Sequence, residues 1–143
     1  YIGPVSGVDG IVYVASMLDA DGKTYALDGK TGNRIWEFET GFSPRFDRTT
    51  IGDKGTLYIS EKSLDSNKVY ALDGKTGVKK WEYSAGSVPN PGHINLFHTL
   101  GPDGTLYVTR IVYEGRVGAA PNHKILAIRT MSKGRRPWFG SRP

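Results

Sequence analysis

The sequence predicts an all-β fold made of β-propeller blades, because two sequence patterns recur along the chain. The segment YALDGKTGNRIWEF at residues 25–38 returns at residues 70–83 as YALDGKTGVKKWEY, 45 positions later. A second pattern occurs three times, as DGIVYVAS, KGTLYISE and DGTLYVTR. A repeat of roughly 40 to 50 residues built from short strands and turns is typical of propeller blades, whereas helical repeats would show a 3.6-residue period.

Each repeat reads as four strands in chain order. A segment of mixed polarity is followed by the strand containing Tyr13, and then by a hairpin in which YALD and NRIWEF alternate their side chains around a DGKTG turn. In that turn Asp28 is expected to accept bonds from the following backbone N–H groups, and Gly32 to supply a left-handed conformation. The predicted strands are 1–7, 10–16, 23–28 and 33–39, then 45–51, 55–61, 68–73 and 78–84, then 93–100, 104–111, 123–129 and 135–140.

Twelve strands make three four-stranded antiparallel blades, at about residues 1–40, 41–85 and 86–143 of a single propeller segment. A closed propeller typically has four to eight blades, and three would leave two apolar sheet faces in water. We therefore expect either part of a larger propeller or closure by oligomerisation with a second copy of the chain. The first residue is Tyr1 and not Met, which favours a processed or excised piece.

Composition excludes several classes of site and partner. The chain has 19 Gly, 8 Pro and no Cys, which suits a turn-rich β protein and excludes disulfides and thiolate metal sites. The longest apolar run is too short for a membrane span. Although the net charge is +5, Lys30, Lys75, Lys79 and Lys80 fall in or beside hairpin turns, and no aromatic-interleaved basic groove occurs, so nucleic acid is not an expected partner.

No residue pattern predicts catalysis or metal binding. His93 and His98 are five apart, which on a strand places them on opposite faces and disfavours a shared metal. The Asp-rich segment at residues 19–21 lacks the further oxygen ligands of a calcium loop and reads as a turn. Asp103 and Glu114 form no evident acid/base pair. The sequence thus assigns no catalytic, cofactor-binding or metal residues.

The hairpins follow the pattern Ala-x-Asp-x-x-x-Gly-x-x-x-Trp, which resembles the tryptophan-docking repeat of pyrroloquinoline quinone (PQQ)-type β-propellers. The third copy has Arg129 at the Asp position and one extra residue before its tryptophan. The resemblance implies that each tryptophan packs between adjacent blades, a structural role. The residues that carry it are Ala26, Asp28, Gly32, Trp36, Ala71, Asp73, Gly77, Trp81, Ala127 and Trp138.

The family that the chain resembles contains proteins with different activities. The family includes quinoprotein dehydrogenases that hold PQQ and calcium, outer-membrane assembly scaffolds, sensor domains and other surface proteins. Those dehydrogenases use adjacent cysteines, and this chain has none. We expect a non-catalytic binding or scaffold propeller, bacterial and periplasmic, secreted or on the cell surface. The alternative is a fragment of a PQQ-dependent dehydrogenase, in which PQQ and calcium would bind only if further blades are present.

The third repeat carries two insertions, at residues 84–93 and 111–123, which the strand order places on one face of the propeller. Loops on a rigid scaffold often bind partners, although surface loops also vary in length without consequence. If these loops bind, the partner is a protein or a polysaccharide. The predicted contacts are Arg45, Asn90, His93, Tyr113, Glu114, Arg116 and Asn122.

Overall fold

The computed structural model describes residues 4–7, 9–15, 22–40, 49–52, 54–62, 67–87, 93–113, 120–129 and 138–141. Every regular element in these residues is a β-strand. The strands are β1 Val5–Ser6, β2 Ile11–Ala15, β3 Lys23–Asp28, β4 Arg34–Glu39, β5 Thr49–Ile51, β6 Thr56–Lys62, β7 Asn67–Asp73, β8 Lys79–Gly86, β9 His93–Leu100, β10 Leu106–Tyr113, β11 Asn122–Arg129 and β12 Trp138–Ser141.

The strands form three four-stranded antiparallel sheets, each a meander of four consecutive strands. We call them sheet one (β1–β4), sheet two (β5–β8) and sheet three (β9–β12). The predicted fold class is therefore confirmed, and each predicted strand has its counterpart. None of the described residues belongs to a helix that could cross a membrane.

The predicted insertion loops are wrong in part, because strands extend into both segments. β8 continues to Gly86, β10 continues to Tyr113, and β11 begins at Asn122. These residues have cross-strand partners, such as Val112 opposite Asn122. The paired backbone groups and the continuing alternation of side chains favour strand here over loop.

The core lies between the sheets, in two layers. One layer packs Tyr13, Ala26 and Trp36 of sheet one against an apolar face of sheet two, and the other packs the opposite face of sheet two against sheet three. Sheet two is thus covered on both faces. In the described part of the chain, sheets one and three each have a face with no neighbouring sheet, so the three blades need further blades or a partner to complete them.

The two ends of the sheets differ. At one end, which we call the turn face, the β1–β2 and β3–β4 turns lie side by side, and the Gly29 N–H bonds to the Gly10 carbonyl at 2.9 Å. Sheet two repeats this contact between Gly74 and Gly55 at 2.8 Å. The opposite end, where β2, β6 and β10 finish, we call the insertion face. This division follows the predicted strand order.

Candidate functional site

The insertion face of sheet three brings together residues from three strands, β9, β10 and β11. Strand pairing sets Tyr113 directly opposite His93 and Val112 opposite Asn122. Tyr113 is half-buried and Asn122 is exposed. Asn122 lies across from Val112, and successive residues of a strand point to opposite faces, so Tyr113 and Asn122 share this end of the sheet but lie on its two faces.

Only part of the predicted contact set is placed by the structure. The backbone of His93 is described, but its side chain is not. The remaining predicted contacts, Arg45, Asn90, Glu114 and Arg116, lie outside the described residues. The set as a whole therefore stays a prediction, in which three members share one end of one sheet.

A buried acidic side chain that sequence reasoning missed lies between sheets one and two. Glu61 is 4% exposed, and the Tyr70 hydroxyl donates to its Oε2 at 2.5 Å and lies 3.4 Å from the Thr40 carbonyl. Burial raises the pKa of the Glu61 carboxyl, although the bond from Tyr70 opposes this, and burial also raises the pKa of Tyr70. Leu57, Ile59 and Glu61 occupy every second position on β6, and this spacing could have indicated that the carboxylate faces the core.

A second buried polar contact lies between sheets two and three. The Ser60 hydroxyl and His98 Nδ1 are 2.8 Å apart, and the two residues are 1% and 6% exposed. On the same sheet, Asn67 donates its side-chain N–H to the Gly86 carbonyl at 3.1 Å. The sequence argued only against a metal shared by His93 and His98, and the structure adds a bond from His98 to the neighbouring blade. Because Ser60 and His98 are both buried, this pair joins blades and is not placed to meet a substrate.

The first tryptophan makes a specific contact between blades. The Trp36 indole N–H donates to the Gly74 carbonyl of sheet two at 2.8 Å, and its ring lies against Gly77. Its ring centroid is also 5.9 Å from that of Tyr13. Trp36 is therefore held by packing between the sheets, as is Ala26, which lies opposite it on β3.

The second and third tryptophans are placed differently. Trp81 lies opposite Ala71 and is partly buried against the core between sheets two and three. Trp138 lies opposite Arg129, whereas Ala127 pairs with Gly140. The third hairpin thus has a different register from the first two, which is consistent with its extra residue and its missing Asp.

The aspartates of the repeat organise the hairpin turns. Asp28 Oδ1 accepts the backbone N–H groups of Lys30 at 2.9 Å and Thr31 at 2.8 Å. These bonds, that from Thr31 foremost, lower the pKa of Asp28. Asp73 accepts the corresponding pair of N–H groups in sheet two. The aspartates therefore serve turn geometry and are not positioned as ligands.

Several lysines of the first two blades have acidic neighbours. Lys68 and Lys79 both contact Glu82, Lys80 contacts Asp73, and Lys23 contacts two glutamates of β4. Within the described residues no group of His, Asp or Glu side chains is arranged to hold a metal ion. Asp103, considered above as an acid, accepts bonds from Thr105 in the β9–β10 turn.

Two solved structures share this arrangement of sheets. The hydrazine synthase of Kuenenia stuttgartiensis matches 97% of the chain with a TM-score of 0.69 and 18% identity, and the match covers 40% of that protein. A europium-containing methanol dehydrogenase matches 97% of the chain with a TM-score of 0.66 and 20% identity, covering 24% of that protein. At these identities the likeness concerns the fold. The chain spans less than half the length of either protein.

Sequence comparison gives the family. A search of curated proteins found no match. A family model described as "Outer membrane protein assembly factor BamB" matches residues 2–141, nearly the whole chain. The chain therefore belongs to this family of PQQ-like propeller repeats.

Proposed function

We propose that these three blades are part of a non-catalytic binding or scaffold propeller that recognises a protein through its insertion face. The observation that carries the proposal is the pairing of Tyr113 with His93 and of Val112 with Asn122, which places an aromatic residue and the exposed Asn122 at one end of sheet three. The opposite end of the first two sheets consists of DGKTG turns whose aspartates serve local turn geometry.

The choice of a protein partner rests on the family. Its description names an outer membrane protein assembly factor, which is a protein that acts on proteins. By the same analogy we propose a location outside the cytoplasm: periplasmic, secreted or at the cell surface. A polysaccharide is the alternative ligand for the same aromatic and polar side chains.

Site-specific photo-crosslinking in cells that produce the protein tests the face directly. A benzophenone amino acid placed at Tyr113 or Asn122 should give a discrete protein adduct, while the same group at Thr31 or Thr76, on the turn face, should give none. Adducts formed only from the turn positions would show that the wrong face was chosen. Adducts at neither end, together with binding of soluble glycan by the same face, would favour the polysaccharide.

A loop replacement supplies the matched binding experiment. Eight residues separate β10 from β11, against four between β6 and β7. Exchanging residues 114–121 for a four-residue turn should leave the fold intact, since loop length has little effect on folding free energy, and should abolish the adduct from Asn122. The paired residues 111–113 and 122–123 are retained, so that the strands are unaltered. An undiminished adduct would show that the loop makes no contact.

The dehydrogenase alternative has a separate test. The chain is incubated with PQQ and calcium and then desalted, and its absorbance is recorded. We expect no stoichiometric quinone to remain with these blades. Retained quinone would contradict the scaffold proposal.

A further inference from the structure

Two buried polar atoms lie near the insertion face, where sheets two and three meet. They are Asn67 Oδ1 and Arg110 Nε, and in the described part of the chain neither atom has a hydrogen-bond partner. Asn67 is 1% exposed, and Arg110 is half-buried. Buried polar groups are nearly always hydrogen-bonded, because an unpaired one loses its hydration without compensation. The two atoms therefore mark a position at which a further polar group would be stabilised.

Strand alternation directs both side chains into the same interface. Along β7, Asn67 alternates with Val69, and along β10, Arg110 alternates with Val108 and Val112. All three valines belong to the core layer between sheets two and three. Because every second residue of a strand lies on the same face, Asn67 faces sheet three and Arg110 faces sheet two.

Gly86 of β8 lies beside both side chains. Its carbonyl accepts the Asn67 side-chain N–H at 3.1 Å, and a Cβ added to it would lie 3.7 Å from Arg110 Nη2. Gly86 pairs with Asn67 where the ladder shifts register, and its φ of 86° is a conformation that glycine adopts without strain. Gly86 is exposed. The cluster, which we call the Asn67–Arg110 site, is thus open to solvent at Gly86 and buried at Asn67.

The two unpartnered atoms differ in their hydrogen-bonding chemistry. The Asn67 side-chain nitrogen donates to the Gly86 carbonyl, so the free atom is the oxygen, which is an acceptor. Arg110 Nε carries an N–H, and a guanidinium group only donates. A ligand that satisfies both atoms must donate one hydrogen bond and accept another. An amide group does this through its N–H and its C=O.

A carboxylate would satisfy only one of the two atoms. Lys124 lies opposite Arg110 on β11 and is exposed, so two positive charges here attract an anion. A carboxylate could accept the N–H of Arg110, but it offers no donor and would leave Asn67 Oδ1 buried without a partner. The buried acceptor therefore favours a neutral amide over a carboxylate.

We propose that Asn67 and Arg110 form a binding site for an amide group, supplied by an Asn or Gln side chain or by a peptide bond. The amide N–H donates to Asn67 Oδ1, and the amide oxygen accepts from Arg110 Nε. The site gives the insertion face a specific polar contact, and its use by a partner protein rests on the proposed function.

An NMR titration of the intact chain with four small probes tests the site. Acetamide and N-methylacetamide have both an N–H and a C=O, N,N-dimethylacetamide has no N–H, and acetate is a charged acceptor. We expect acetamide to shift the Arg110 Nε–H and the Asn67 side-chain resonances saturably, and several-fold more than dimethylacetamide or acetate does. A response to acetamide alone assigns the site to a side-chain amide, whereas an equal response to N-methylacetamide assigns it to the peptide bond. Equal shifts with dimethylacetamide, a larger response to acetate, or no response to any probe would overturn the proposal.

A pair of variants tests the role of the guanidinium. Arg110→Lys keeps the charge but removes the Nε–H, so the Asn67 resonances should lose their response to acetamide. Arg34→Lys, in a surface ion pair of sheet one, is the matched control and should respond like the parent. A response retained in Arg110→Lys would contradict the assigned contact. If that variant does not fold, the ranking of the four probes on the parent chain still decides.

The outcomes also separate this site from the proposed function. Crosslinks from Tyr113 or Asn122 in a chain that responds to no probe would overturn the amide site alone. A response to acetamide in a chain that gives no crosslinks from the insertion face would support the amide site and count against the proposed function.

Discussion

The interface between sheets one and two and the interface between sheets two and three each contain an aromatic pair, but the described residues make different polar contacts in the two. Tyr13 and Trp36 have ring centroids 5.9 Å apart at 41°, and Tyr58 and Trp81 have centroids 5.9 Å apart at 45°. Yet Trp36 is 9% exposed and bonded to the next turn, while Trp81 is only partly buried.

The repeats that follow the two tryptophans differ in the sequence of the hairpin turn. Trp36 meets a DGKTG turn, in which Gly74 offers an open carbonyl and close approach. The third repeat has RTMSKGRRP in place of that turn. The second interface instead has the buried bond between Ser60 and His98. Within the described residues, the two interfaces thus share the aromatic packing and differ in the polar bond that accompanies it.

The largest expected effect comes from removing the tryptophans. Trp36→Ala should lower the free energy of unfolding by about 3 to 5 kcal/mol, the range for a buried large aromatic. Trp81→Ala should cost less, about 2 to 3 kcal/mol, because the side chain is less completely buried. Denaturant unfolding followed by circular dichroism measures both. Equal losses would show that the bond to Gly74 and the deeper burial of Trp36 contribute little.

A glycine pair isolates the contact with the indole. Gly77→Ala and Gly32→Ala both place a Cβ at a φ of 73°, so both carry the same backbone strain. Only the Cβ at Gly77 would meet the Trp36 ring, at 2.8 Å. Gly77→Ala should therefore be the more destabilising by about 1 to 3 kcal/mol, the usual cost of overpacking. Identical unfolding midpoints would mean that the ring moves aside freely.

The Glu61 carboxyl gives the interface between sheets one and two a pH dependence. Burial raises its pKa above the ordinary 4.5, so its contribution to stability is fully present below that value and is lost as pH rises through the raised pKa. Glu61→Gln keeps an acceptor for Tyr70 without the charge. Relative to the parent, this variant should gain stability between acidic and neutral pH.

Unfolding midpoints of parent and Glu61→Gln across this pH range measure the difference. Tyr70→Phe provides the second arm, because it leaves the buried carboxylate without its donor and should cost about 1 to 3 kcal/mol at neutral pH. A pH-independent difference between parent and Glu61→Gln would contradict the assignment of the titration to Glu61.

The smallest expected effect concerns the exposed charges. Glu82 contacts both Lys68 and Lys79 at the surface of sheet two. Exposed ion pairs contribute little, so Glu82→Gln should change the free energy of unfolding by less than about 1 kcal/mol, and less still in high salt. A larger loss would indicate that these charges help to hold the hairpin. Salt-dependent unfolding curves give the comparison.

The sequence by itself determined the local architecture of each blade. Alternating side chains have the period of a strand, and the DGKTG segments carry their own turn chemistry in Asp28 and Gly32, so twelve strands and their order could be predicted. The strand boundaries beside the insertions could not be predicted in this way. Whether residues 111–113 continue a strand depends on a pairing partner, which lies in another segment of the chain.

Only the tertiary structure decided which residues meet between blades. Trp36 with Gly74 and Ser60 with His98 are each 38 residues apart, and the bond between Tyr70 and Glu61 joins neighbouring strands at a buried interface. Strand period and turn type are local properties, so a sequence pattern predicts them. The contacts between blades depend on how one sheet face stacks on the next, and that is set by packing across the whole interface.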